Sequence, residues 1–318
     1  MWVRSQALLV LLLPAAVLAA RSGARLYERF ARIVRPAPRC DLVVKLGGSA
    51  VTDKSRFEQI DRRRLDATAA QLAALGSRRV ALVHGAGSFG HFQARQHGVS
   101  KGVGHPDFSW FGFAQTRSSV TRLNALVLRA LLDREVAAVG ISPMPLCRTR
   151  AGALTRAGRR AIVDAARRAL ALGLTPVLHG DATYDDARGS AILSGDTLVE
   201  ELCGALTPRC ALFLTDVPGV YDRPPTDPSA SLLAEIRVDR RGRLILPAPT
   251  TTAAEHDVTG GIGSKLEVAA RIAAAGVPVC VCEAGSEHAA EALAGRRPQT
   301  CTIILRDGAA EPAWAEPP

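Results

Sequence analysis

Asp41-Leu42-Val43-Val44-Lys45-Leu46-Gly47-Gly48-Ser49-Ala50-Val51-Thr52-Asp53-Lys54 starts as a buried strand and ends as a turn. From Leu42 to Leu46 every residue but Lys45 is apolar and nothing alternates, as in a strand covered on both faces. Gly47 and Gly48 put no side chain after the strand, so backbone N–H groups there can approach an anion closely, and a following helix start would add its dipole. Lys45 near the strand end and Lys54 nine residues on can neutralise developing negative charge. Read alone, the stretch fits an ordinary strand–helix turn with surface lysines equally well.

Outward from this stretch the pattern repeats. Short apolar runs at Val80–Val83, Pro176–Leu178, Ala211–Leu214, Val277–Val281 and Thr302–Leu305 are bounded by turn residues. Between them lie amphipathic stretches at Arg62–Leu75, Thr116–Arg134, Ala161–Leu172, Asp196–Leu206 and Ser264–Ala275. Strands alternating with helices predict an α/β layer architecture with a mostly parallel sheet. Arg223–Pro249 reads as an excursion with a hairpin, and 308–318 as a disordered tail.

Open parallel sheets bind ligands just after their strands, and the glycines gather there. His84-Gly85-Ala86-Gly87-Ser88-Phe89-Gly90-His91 satisfies GxGxxG, but Asp107, at the spacing of a ribose-binding acid, does not follow a strand. A glycine-rich anion nest with His91 as phosphate partner is the better reading. Next come His179-Gly180-Asp181 and Ser194-Gly195-Asp196. Asp196 reads as a helix N-cap or as the acid that fixes Lys45, and spacing does not separate the two. Thr215-Asp216-Val217-Pro218-Gly219-Val220-Tyr221 is a turn able to hold a base or ribose, or a plain loop. Finally, Asp257 to Lys265 opens a helix without GxxxxGK[ST] spacing, which excludes a Walker-type loop. Lys265 in a first helical turn is unfavourable unless an anion is near. Several anion sites with three lysines suit phosphoryl transfer, where positioning and charge neutralisation do most of the catalysis.

Composition sets outer bounds. Hydrophobic residues make up 47% and charged residues 22% of 318, a globular balance. The net charge of +10 is concentrated in residues 1–40, where seven arginines face only Glu28. The basic excess thus describes a leader, and no nucleic-acid surface is expected. Apolar Ala7–Ala20 followed by Arg-rich 21–39 reads as a targeting or anchor segment. A signal-plus-transit leader to a plastid is the favoured arrangement; an endoplasmic-reticulum anchor or a cytosolic protein are the alternatives, with membrane contact only if the segment is uncleaved. Seven cysteines without CxxC or metal-ligand spacing read as free core thiols.

In order, the pieces VVKLGGSAVTDK (43–54), HGAGSFGHFQARQHGVSKG (84–102), ISPMP (141–145), HGDA (179–182), ILSGD (192–196), TDVPGVYDRPP (215–225) and DVTGGIGSKLE (257–267) resemble the amino acid kinase superfamily and, within it, the isopentenyl phosphate kinases of plant and algal type. The similarity runs from about Asp41 to Leu305. It implies a three-layer α/β/α sandwich over 40–307, acceptor-binding to about 190 and nucleotide-binding beyond. It also implies ATP-dependent phosphorylation of isopentenyl phosphate to the diphosphate for isoprenoid synthesis, Mg²⁺ carried by ATP with no protein ligand, and a homodimer. By that resemblance Lys45, Lys54, His91 and Asp196 are catalytic. Lys45, Gly47, Gly48, Ser49, Gly87, Asp216, Tyr221, Gly261 and Lys265 bind nucleotide, while Ala86, His91 and Gly180 hold the acceptor. The aromatics Phe108, Trp110, Phe111 and Phe113 line a prenyl pocket or pack under a lid. Competing readings are a related kinase with a phosphonate acceptor and a non-catalytic nucleotide-binding module.

Overall fold

The computed structural model describes residues 40–53, 55–245 and 263–311, with side chains of the last segment from Leu266 onward. The leader, Lys54, Gly261, the Lys265 side chain and most of the tail lie outside the described residues. The first half contains β1 (Leu42–Leu46), α1 (Gly48–Val51), α2 (Arg62–Ala73), β2 (Val80–His84), α3 (Gly87–Gln96), α4 (Trp110–Leu132), β3 (Ala138–Ile141), β4 (Thr149–Arg150) and β5 (Ala153–Leu154). Then come α5 (Arg156–Ala171), β6 (Thr175–His179), β7 (Asp181–Asp185), β8 (Gly189–Leu193), α6 (Gly195–Leu206) and β9 (Cys210–Thr215). The chain continues through β10 (Glu235–Val238), β11 (Leu244–Ile245), α7 (Gly263–Ala274), β12 (Val279–Glu283), α8 (Glu287–Leu293) and β13 (Thr302–Arg306).

A nine-stranded sheet runs β11-β10-β13-β12-β9-β1-β2-β6-β3, and β1 pairs parallel with both β2 and β9. The quoted strand is therefore central, which is why all five of its residues are buried. Alternate residues of each strand feed opposite faces. On one face Val43, Val83 and Phe213 pack against Ile162 of α5 and Leu198 of α6. On the other, Val44, Leu82 and Leu212 meet Leu65 of α2, Leu123 of α4 and Leu293 of α8. The result is the expected α/β/α sandwich. Leu123 and Val127 of α4 are fully buried; truncating such a leucine to alanine costs about 2–5 kcal/mol.

A second, four-stranded sheet, β5-β4-β7-β8, was not expected from the sequence. Its β7–β8 hairpin pairs Asp181 with Leu193 and Asp185 with Gly189. Asp185 braces its turn: the backbone N–H groups of Ala151, Gly152, Ala187 and Arg188 and the Thr149 hydroxyl all donate to its carboxylate. The expected hairpin in Arg223–Pro249 is β10–β11. The boundary near residue 190 falls inside β8, and the described residues form one compact unit.

Two elements differ from expectation for identifiable reasons. α4 begins at Trp110, six residues before the apolar periodicity, because the Ser109 side chain caps it by accepting from Gly112 N (3.0 Å). α3 occupies what reads as a glycine-rich loop, since its two glycines and serine are weak helix formers. All seven cysteines are buried and free. Burial pushes the thiols of Cys40, Cys147 and Cys210 up to about 12, consistent with inert core packing.

Candidate active site

Lys45 sits in a wall between two cavities. Its side chain is 4% exposed and ion-paired with the Asp196 carboxylate of α6, and its ammonium lies 4.9 Å from the centre of the Phe213 ring. On one side is an apolar pocket lined by Gly47, Phe213, Val217, Gly219 and Leu266. On the other is a cleft of about 570 Å³ lined by His91, Thr116, Asp181 and Ile192, among others. Asp196 is thus the lysine's partner. The N-cap role belongs to Ser194, whose hydroxyl accepts from Thr197 N (3.1 Å).

Three helix starts border the cleft: Gly48 of α1, Gly87 of α3 and Gly195 of α6. Free N–H groups and the positive dipole ends favour anions there. The glycines also interlock. A Cβ on Gly48 would lie 2.7 Å from Gly87 Cα, and one on Gly85 would lie 2.8 Å from Gly48 N. Gly87 itself has φ +51, and its added Cβ would meet Thr52 Oγ1 at 2.1 Å. That hydroxyl donates to Gly48 O (2.7 Å) and accepts from Ser88 N (3.0 Å), tying the two loops together. Gly180 stands against Gly195 in the same manner, at 3.2 Å from its N.

The remaining expected residues distribute over both cavities. His91, Ala86 and Gly180 line the cleft. His91 lies within α3, in its second turn, and does not end a loop. Ser49 donates to Asp216 Oδ1 (2.6 Å), linking α1 to the turn after β9. Tyr221 lies further along that turn, where it bridges Leu232. None of the four aromatics lines the cleft. Phe113 is buried, stacked on Tyr184 at 5.7 Å and edge-on to Trp110 at 5.5 Å. Trp110 and Phe113 pack the α4 start onto Tyr184 of the β7–β8 hairpin while Phe111 stays exposed, and Ala94, Ala182 and Ile192 line the cleft.

Several cleft residues were not anticipated: Arg95, Lys101, Thr116 and Asp181. Asp181 is 2% exposed and faces Arg117 Nη1 at 3.2 Å. Burial raises its carboxyl to about 6 against the lowering pull of Arg117. Beneath lies a stacked pair, His84 and His179, with ring centres 5.6 Å apart. Burial lowers both, and the His84 charge helps bring His179 down to about 3. His84 Nε2 lies 3.1 Å from Asn124 Oδ1 and its Nδ1 lies 3.0 Å from Gly85 O, so the neutral ring takes part in fixing the glycine turn. The alternation across Asp181–Asp185 and Gly189–Leu193 was the available signal for this hairpin.

Such an arrangement can hold two anionic ligands on either side of one buried lysine. Comparisons with known proteins agree with that geometry. The sequence profile of the amino acid kinase family matches residues 42–283. An isopentenyl phosphate kinase of Arabidopsis thaliana is 37% identical over 303 residues, covering 80% of this chain and 90% of that protein. One from Haloferax volcanii is 37% identical over 261 residues, covering 81% of this chain and 97% of its own. A solved isopentenyl phosphate kinase structure superposes with a TM-score of 0.69 at 29% identity, covering 83% of this chain and 99% of that one.

Proposed function

The chain belongs to the amino acid kinase family, and from that premise we propose that it transfers the γ-phosphoryl group of ATP to isopentenyl phosphate, giving isopentenyl diphosphate and ADP. The observation that carries the reading is Lys45, shared by the two cavities and oriented by Asp196. ATP takes the side of Phe213 and Leu266, with its phosphates on the N–H groups of Gly47, Gly48, Ser49 and Gly87. The acceptor takes the cleft, its phosphate on His91 and on the backbone of Ala86 and Gly180. Gly261, Lys265, Asp216 and Tyr221 complete the nucleotide side, and Lys54 joins Lys45 on the transferring group.

An anionic oxygen of the acceptor phosphate attacks the γ-phosphorus, and the bond from that phosphorus to the β-bridging oxygen breaks. The attacking oxygen already carries charge, so no base is required. Lys45 and the helix starts stabilise charge that grows during transfer. By the resemblance, Mg²⁺ would arrive on the nucleotide phosphates and need no cluster of protein ligands. There it would supply charge neutralisation for the phosphoryl transfer.

Labelled ATP–Mg²⁺ mixed with isopentenyl phosphate tests the proposal. Wild type should form isopentenyl diphosphate, and His91→Ala should lose at least about tenfold in kcat/KM through the acceptor, as loss of a charged hydrogen bond implies. No transfer by a folded, ATP-binding protein moves the assignment to another phosphate or phosphonate. We also propose that the Arg-rich, acid-poor leader directs the chain to a plastid and that the body pairs as a homodimer, as the resemblance implies. Sequencing the mature N terminus and light scattering read these out; a start at Met1 or a single-chain mass removes them.

A further inference from the structure

Charge in the acceptor cleft is unevenly balanced. Both acids that line it are engaged, Asp196 with Lys45 and Asp181 with Arg117. On the opposite wall, α3 places His91 and Arg95 four residues apart, so both lie along one helix face, and both line the cleft. The Arg95 side chain is exposed and makes no hydrogen bond or ion pair among the described residues. Lys101, also lining the cleft, is held by His105, with Nζ to Nε2 at 3.1 Å. A guanidinium presents paired N–H donors that match two oxygens of one phosphate, a geometry that an ammonium lacks.

Resting on the acceptor assignment above, we infer that Arg95 is a specificity-determining residue. With His91 one turn earlier it forms a two-point contact to the phosphate of the acceptor, and Lys101 extends the positive wall to the cleft mouth. The contact reads the charge on the phosphate that stays bonded to the carbon chain, leaving Lys45 to the phosphoryl group in transit. A plainer role for Arg95 exists, since a cation in the last turn of α3 also complements the helix dipole. That role would touch stability and not substrate discrimination.

The test uses the full chain as wild type, Arg95→Ala and Arg95→Lys, with KM for each substrate, kcat and thermal midpoint measured at low and high salt. Arg95→Ala should raise KM for isopentenyl phosphate about 10- to 100-fold, the range for losing a charge-assisted hydrogen bond. KM for ATP–Mg²⁺ and the midpoint should stay unchanged, and Arg95→Lys should recover only part of the loss. An unchanged acceptor KM, equal rises in both KM values, or a defect that vanishes at high salt as steering does would each overturn the inference. Absence of wild-type turnover would sink the acceptor assignment instead. Binding of inorganic phosphate would then decide for Arg95: weaker in Arg95→Ala keeps the contact, and equal binding removes it.

Discussion

Gly87 shows how much a single position can carry. Its backbone is left-handed at φ +51, and the space where a Cβ would sit is taken by the Thr52 hydroxyl at 2.1 Å and Gly48 O at 2.9 Å. Alanine there meets both backbone strain and the hydroxyl that ties the two glycine loops, at a cost of about 2–4 kcal/mol. Gly87→Ala should therefore lower the thermal midpoint by several degrees. It should raise KM for ATP–Mg²⁺ as well, because the proposed phosphate site lies on the same loops. A melting curve that drops with no change in nucleotide KM would separate packing from binding. The glycines, Lys45 and His91 were legible in the sequence because they form contiguous motifs. Arg95 and Asp181 lie inside those motifs but were given no role, since a helix face and a strand end had to be placed before either could be seen to line the cleft.

Among the elements, the β7–β8 hairpin is the acceptor side's least obvious support. It was missed because its strands are short, polar at intervals and closed by a turn of mixed residues. The parallel strands, by contrast, announce themselves as unbroken apolar runs. Its register depends on Asp185, where burial pushes the carboxyl up but the N–H donors of Gly152, Arg188 and Ala187 win and hold it below the usual range. That contribution is present above the ordinary carboxylate value and persists until pH falls through the depressed one. Asp185→Asn turns an acceptor into a donor facing N–H groups. Hydrogen exchange should speed up across 149–154 and 181–193, with acceptor KM rising more than nucleotide KM. Uniform exchange across the whole chain would refute a local brace. α4 belongs to the same lesson: its aromatic start read as pocket lining or as packing under a lid, and the structure uses it to fasten the hairpin to the sandwich.

For the molecule as a whole, the buried histidines set an acid limit. His84 and His179 are held neutral in the fold but take up protons near 6.5 when unfolded, so their contribution is present above that value and lost on acidification. Asp181 acts oppositely: raised to about 6, it holds a proton in the fold where the unfolded chain has lost one. Between roughly pH 4 and 6 the unfolded chain takes up a proton at His179 that the fold refuses, the lowering of His84 adds to that uptake, and Asp181 offsets part of it. Uptake of protons by the unfolded chain gives stability a downward slope on acidification through this range. Chemical denaturation across this range should show that slope, and His179→Gln should flatten it. A slope of opposite sign would mean that Asp181 outweighs the pair.

The facing glycines of the two loops carry one more consequence, an evolutionary one. When a large residue replaces a small one in a core, a neighbour can often shrink to make room. Gly48 faces the backbone of Gly87, and Gly85 that of Gly48, and no smaller residue exists for those neighbours to become. A lineage that loses one of these glycines has no compensating change at the facing position, only reversion. Variation in what this protein accepts is therefore expected to accumulate along α3 and the hairpin, where side chains can be traded, while the loop pair stays fixed.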